Sequence, residues 1–123
     1  MKIKTSELTG AALDWKVWEL LGGPTAYPKM IGTAFLRAWQ GNSARYLHPS
    51  TDWTQGGPII ERMKGLHIKH WLSSNPESQY VVHLNSYDGD WIEFGPTLLI
   101  AAMRCFVASK LGDEVDVPEE LLK

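Results

Sequence analysis

The residues best equipped for chemistry cluster in one stretch, Ser50-Thr51-Asp52-Trp53-Thr54-Gln55-Gly56-Gly57-Pro58, which gathers hydroxyls, a carboxylate, an amide, an indole and two glycines. Gly56 and Gly57 would let backbone amides approach a ligand closely. Asp52 and Gln55, with the hydroxyls of Ser50 and Thr51, could hydrogen-bond a ribose or a base edge, and Trp53 offers a stacking face. The same residues also suit an Asx-type turn at Ser50 to Asp52 and a glycine turn into a strand, with Trp53 simply packed. The sequence leaves both readings open.

Arg104 is the second candidate. Ten of the eleven residues from Leu98 to Ala108 are apolar and Arg104 is the exception, so its guanidinium needs a carboxylate or an anionic ligand to offset burial. Glu61 and Asp52 are the candidate protein partners. A phosphate or carboxylate clamped bidentately is the alternative, and free amides near Thr97, where a helix should begin, would add the same polarity. The expected ligand-binding set is therefore Ser50, Thr51, Asp52, Trp53, Gln55, Gly56, Gly57, Glu61, Thr97 and Arg104.

Other reactive side chains are dispersed. His67 and His70 fall on opposite faces of any strand that holds them, and His48 and His83 are isolated in sequence, so no shared metal or acid–base site is expected. Cys105 lies in the apolar stretch with no histidine near it in sequence and reads as an inert core thiol. No phosphate loop, dinucleotide fingerprint or nucleophile elbow is present. No cofactor, no metal and no catalytic residue are implied.

The elements that would position these residues follow from periodicity. Met1 to Thr5 alternates as a short edge strand does, and a helix over about 7–21 is expected from the apolar spacing of Leu8, Ala12, Trp15 and Trp18, capped by Ser6 or Thr9 and stopped at Gly22-Gly23-Pro24. From Thr25 to Pro58 no sustained period appears beyond a short apolar piece at Thr33 to Trp39, and this stretch reads mostly as loop. Ile59 to Arg62, Leu66 to Leu72, Gln79 to Leu84 and Trp91 to Phe94 read as strands, the first two joined across Met63-Lys64-Gly65. A buried helix over about 96–111 has Pro96 at its start and Gly112 at its end, and Pro118-Glu119-Glu120 could open a last helical turn. The expectation is a single α+β domain over 1–123, a small antiparallel sheet of three to four strands packed against two main helices.

Composition agrees with one soluble core. The 123 residues are 44% hydrophobic and 21% charged, with a formal net charge of −2, which excludes an intrinsically disordered chain. Basic residues are scattered, so nucleic acid is a poor partner, and no apolar run suits a membrane span or a secretory signal. A single cysteine fits a reducing cytoplasm. Six tryptophans are too many for so small a core to enclose easily, so some should line a pocket or an interface.

Three stretches, Lys2 to Trp15 (KIKTSELTGAALDW), Ser50 to Arg62 (STDWTQGGPIIER) and Gly95 to Asp113 (GPTLLIAAMRCFVASKLGD), carry a resemblance to the NinX-like proteins of P22-type and lambdoid phages and their prophages. The resemblance implies a phage accessory protein acting in an infected bacterium, and it supplies context without mechanism. Three functions follow as expectations. The first is non-catalytic binding of a small anionic, nucleotide-like host molecule, as a counter-defence protein would do, with a homo-oligomer suited to enclosing the ligand. The second is a module that blocks or redirects a host protein through exposed aromatics such as Trp18, Trp39 and Trp71. The third is a small nucleotide-processing enzyme using Asp52 or Glu61 as base.

Overall fold

The computed structural model describes residues 1–21, 48–70, 74–86, 89–117 and 119–122. The apolar piece at Thr33 to Trp39 lies outside the described residues, as do Trp71 and Leu72 at the end of one expected strand.

The chain opens with β1 (Lys2–Lys4), a single turn of 3-10 helix at Thr5–Glu7, and α1 (Gly10–Leu20). The helix begins three residues later than the apolar spacing predicts. Gly10 holds a left-handed φ of 55°, which separates Glu7 from the helix, and Thr5 is committed elsewhere, its hydroxyl donating to the Gly112 carbonyl at 2.6 Å. Thr9 stands at the N-cap position but makes no side-chain capping bond.

The clearest departure comes next. Trp53–Arg62 is a helix, α2, where a loop to Pro58 and a strand at Ile59 to Arg62 were expected. Asp52 starts it by accepting a hydrogen bond from the Thr54 amide at 2.8 Å, and that bond satisfies one of the orphan donors of the first turn. Gly56 and Pro58, ordinarily breakers, are carried inside. A Cβ on Gly56 would lie 2.5 Å from the Pro49 carbonyl oxygen and 2.6 Å from a Leu99 methyl, so the glycine serves close packing rather than flexibility. Ile59 and Met63, four apart, are both buried, which is helical and not strand spacing. The expected hairpin across Met63-Lys64-Gly65 is accordingly a helix-to-strand turn, with Gly65 at φ 80° and its carbonyl accepting from the Asn85 amide at 3.1 Å.

Three strands follow in an antiparallel sheet of order β2-β3-β4, formed by Leu66–His70, Tyr80–Ser86 and Gly89–Gly95. The register aligns Leu66, Leu84 and Trp91 in one row and Ile68, Val82 and Glu93 in the next; Val82, Leu84 and Glu93 of these rows are buried on the side of α3, while Ile68 on the outer strand is exposed. The opposite face carries His67, His83 and Ile92, then Lys69, Val81 and Phe94. Phe94 and Ile92 are exposed there, Ile92 at 54%, while Glu93 is buried. The alternation of β4 thus runs opposite to a simple apolar-in pattern.

Helix α3 (Leu98–Leu111) is the buried centre. Thr97 caps it, its hydroxyl accepting from the Ile100 amide at 3.2 Å, and Gly112 ends it with φ 90°. Leu99, Ala101, Ala102, Met103, Cys105, Val107 and Ala108 are all buried, against the sheet on one side and α1 on the other. β5 (Glu114–Asp116) returns antiparallel to β1, Ile3 opposite Val115, and a 3-10 turn spans Glu119–Leu122. The fold is α+β, with three helices and antiparallel sheets of two and three strands among the described residues.

Candidate functional site

The residues expected to bind ligand split between local structure and surface. Asp52 caps α2 and its second oxygen lies 3.8 Å from His48 Nδ1. Gln55 accepts the His48 amide at 2.6 Å, and Thr51 donates to the His48 carbonyl at 3.4 Å. Ser50 is buried, its amide donating to Asp14 Oδ1 at 3.0 Å, while its hydroxyl is enclosed without an acceptor in hydrogen-bonding geometry. Thr97 caps α3, Gly56 packs on Leu99, and nothing lies within 4 Å of where a side chain on Gly57 would begin. Trp53 is 55% exposed. The turn from His48 to Gln55 therefore spends most of its polar groups on itself, and its contact with the start of α3 runs through Gly56 and Leu99.

Arg104 is 6% exposed, and its partners are not the expected ones. Nε donates to the Leu8 carbonyl and Nη1 to the Phe94 carbonyl, each at 2.7 Å. Neither Asp52 nor Glu61 pairs with it. Its leading charge partner is Glu93, on the neighbouring strand. Burial depresses the guanidinium pKa and Glu93 then Glu77 oppose that shift. Burial raises the Glu93 carboxyl to about 7, with Arg104 opposing and Asp113 adding. Cys105, beside this pair, is pushed up to about 12 by burial and by Glu93, so its thiol stays protonated at neutral pH.

Two carboxylates that sequence reasoning passed over are buried. Asp14 sits within the apolar stripe of α1 and ties the His48 to Asp52 turn to that helix. Burial raises its pKa, against the hydrogen bond from Ser50 and the charge of His48. Glu93 sits at an inward position of β4. The signal in each case was a lone acid within an apolar period, the same signal that marked Arg104.

The described surface holds two recesses of interest. One, of about 470 Å³, opens where the C-terminal ends of the three helices meet the sheet. Leu20, Ile59, Leu84, Trp91 and Phe106 form its apolar side, and Arg62, Lys64 and Lys110 stand at its rim. All three cations are exposed, and among the described residues none has a carboxylate within 4 Å. The other recess, of about 460 Å³, is lined by Arg104, Glu7, Glu77, the hydroxyl residues Ser6, Thr9 and Ser78, and Phe94. No predicted site residue other than Arg104 lines either one.

Histidines and tryptophans complete the account. His70 stacks on Tyr80 with ring centres 4.4 Å apart, and His67 lies 5.9 Å from His83 on the other face. Among the described residues no group of three or more His, Cys, Asp or Glu is arranged to hold a metal ion. Trp18 is buried beside Trp15, ring centres 5.5 Å apart, so it is core and not the exposed aromatic expected. Trp39 and Trp71 lie outside the described residues. No helix of the described residues is long and apolar enough to cross a membrane.

A search of curated proteins returned no match. The family model for NinX of bacteriophage P22 matches residues 4–110, spanning both recesses, α1, α2 and all of α3 but its last residue, and the chain therefore belongs to the phage P22 NinX family.

Proposed function

We propose that this protein is a non-catalytic binder of a small anionic, nucleotide-like molecule of the infected host, acting as a counter-defence sponge and seating its ligand in the cleft at the helix ends. One observation carries the reading: Arg62, Lys64 and Lys110 converge on the rim of a cleft with an apolar wall, with no carboxylate neutralising them among the described residues. Helix C-termini carry about half a negative charge each, which the first use of these cations would offset. Their long side chains still place full positive charges at the mouth, where a phosphate can reach them. Trp91 and Phe106, both half-buried in the wall, offer surface for a planar group. A cleft of this size suits a ligand of nucleotide dimensions.

Calorimetry with adenosine monophosphate and a cyclic dinucleotide tests it. Saturable binding that weakens as salt rises, and that falls about tenfold or more in Lys64→Glu with Lys110→Glu, is the expected result. Trp53→Ala separates this cleft from the turn at Ser50 to Gly57. If that variant loses affinity while the lysine variant keeps it, the ligand belongs with Asp52, Trp53 and Gln55, and the cleft assignment fails.

A second reading, a module that blocks or redirects a host protein, draws on the exposed Ile92, Phe94 and Trp53. It expects these positions to matter and the lysines not to.

A further inference from the structure

The recess beside Arg104 differs from the cleft in what its charge is bound to. A guanidinium carries five N–H donors, and Arg104 spends one from Nε on Leu8 and one from Nη1 on Phe94. Nη2 has no protein acceptor among the described residues and is not sealed from solvent. The side chain is thus more than nine-tenths buried, locked by two carbonyls, and lines the recess with Nη2 uncommitted to any acceptor among the described residues. This donor edge is rigid, because the two backbone bonds fix the guanidinium plane.

The other lining groups determine what could meet that edge. Glu7 and Glu77 are exposed at the recess, with no cation within 4 Å of either among the described residues. A simple anion reaching Arg104 meets the repulsion of these two carboxylates. A simple cation attracted by Glu7 and Glu77 meets the guanidinium. A molecule carrying both charges satisfies both, and the exposed hydroxyl of Ser6 supplies a further donor and acceptor. We propose that this recess binds a small zwitterion of the amino-acid class, its carboxylate on the free edge of Arg104 and its ammonium between Glu7 and Glu77. The site is separate from the cleft at the helix ends and does not depend on what that cleft binds.

The test is a titration of the isotopically labelled full chain, following the Arg104 Nε–H signal and the amides of Ser6 and Ser78. The probes are glycine, β-alanine and γ-aminobutyrate, with acetate, methylammonium and glucose as comparators. At least one zwitterion should shift all three signals and saturate about tenfold more tightly than acetate or methylammonium. Glu7→Gln with Glu77→Gln should remove that advantage while leaving the melting temperature unchanged, since both side chains are exposed. Equal response to acetate and the zwitterions, saturation by glucose alone, no shift with any probe, or undiminished affinity in the double variant would each overturn the site.

Discussion

The cleft at the helix ends and the recess beside Arg104 enclose nearly the same space, about 470 and 460 Å³, but they hold charge in opposite ways. In the cleft the cations are exposed, come from three different positions on two helices and a turn, and have no carboxylate partner among the described residues. In the recess a single cation is buried and fixed by the carbonyls of Leu8 and Phe94, with Glu93 its leading charge partner. Burial is what separates them. A charge left in water costs the fold almost nothing and stays available to a ligand, whereas one taken inside must be bonded to the scaffold and becomes part of it. Arg104 joins the chain just before α1, the end of β4 and the middle of α3 through one side chain. Among the described residues Arg62, Lys64 and Lys110 make no ion pair.

The largest expected effect tests the buried side of that contrast. Arg104→Met should destabilise the protein by about 3–5 kcal/mol in urea unfolding, because it strands two carbonyls and leaves Glu93 without its cation. A loss below about 1 kcal/mol would mean that Arg104 is no more structural than the cleft lysines.

Glu93 should come next, with a pH signature. Burial raises its pKa to about 7 from the ordinary 4.5, so the folded state holds a proton that the unfolded chain releases. The stability from that proton is fully present below about pH 4.5 and is lost as pH rises through about 7. The span corresponds to an upper bound of about 3 kcal/mol. Glu93→Gln should flatten this part of the profile and raise the melting temperature at about pH 8. An unchanged slope between about pH 5 and 8 would show the carboxyl to be ionised throughout and the recess to be fully charge-balanced.

The turn at Asp52 falls between the two extremes. Asp52→Ala removes the cap of α2 and should cost about 1 kcal/mol, read as a small drop in the denaturation midpoint. An effect on nucleotide affinity larger than this loss of stability would restore the turn as a ligand site and sharpen what the cleft contributes.

The smallest stability effects belong to the cleft. Alanine at Arg62, Lys64 or Lys110 should change unfolding free energy by no more than about 0.5 kcal/mol each, while the salt dependence of nucleotide binding weakens with each charge removed. A large loss of stability in any of them would assign that cation to the helix end and remove it from the binding site.

Much of the scaffold was legible because its signals are local. The apolar run of α3 between a threonine cap and Gly112, the spacing of Ala12, Trp15 and Trp18 in α1, and the alternation of β2 and β3 each depend on residues close in the chain. The half-buried Phe106, at the edge of the cleft, shows the limit even there, since an apolar helix says little about which neighbour covers each position. At Ile59 to Arg62 the local signal misled. Gly56, Gly57 and Pro58 read as breakers, yet the Asp52 cap and the burial of Ile59 and Met63 on one face outweigh their poor helical propensity. Propensity differences of about 1 kcal/mol at a glycine are smaller than the free energy of burying two large apolar side chains.

The sequence by itself determined the fold class, the family, the central helix and the fact that Arg104 must be compensated. Tertiary structure decided what compensates it, turned Glu93 inward while leaving Ile92 and Phe94 outside, and spent Asp52, Thr97 and Gln55 on caps and turns. It also assembled both recesses, from Leu20, Arg62, Leu84 and Lys110 in one case and Glu7, Glu77 and Arg104 in the other. The physical reason is range: caps and periodicity act over a few residues, whereas the desolvation and pairing of a charge depend on groups brought together from across the chain, as Arg104 is with Leu8.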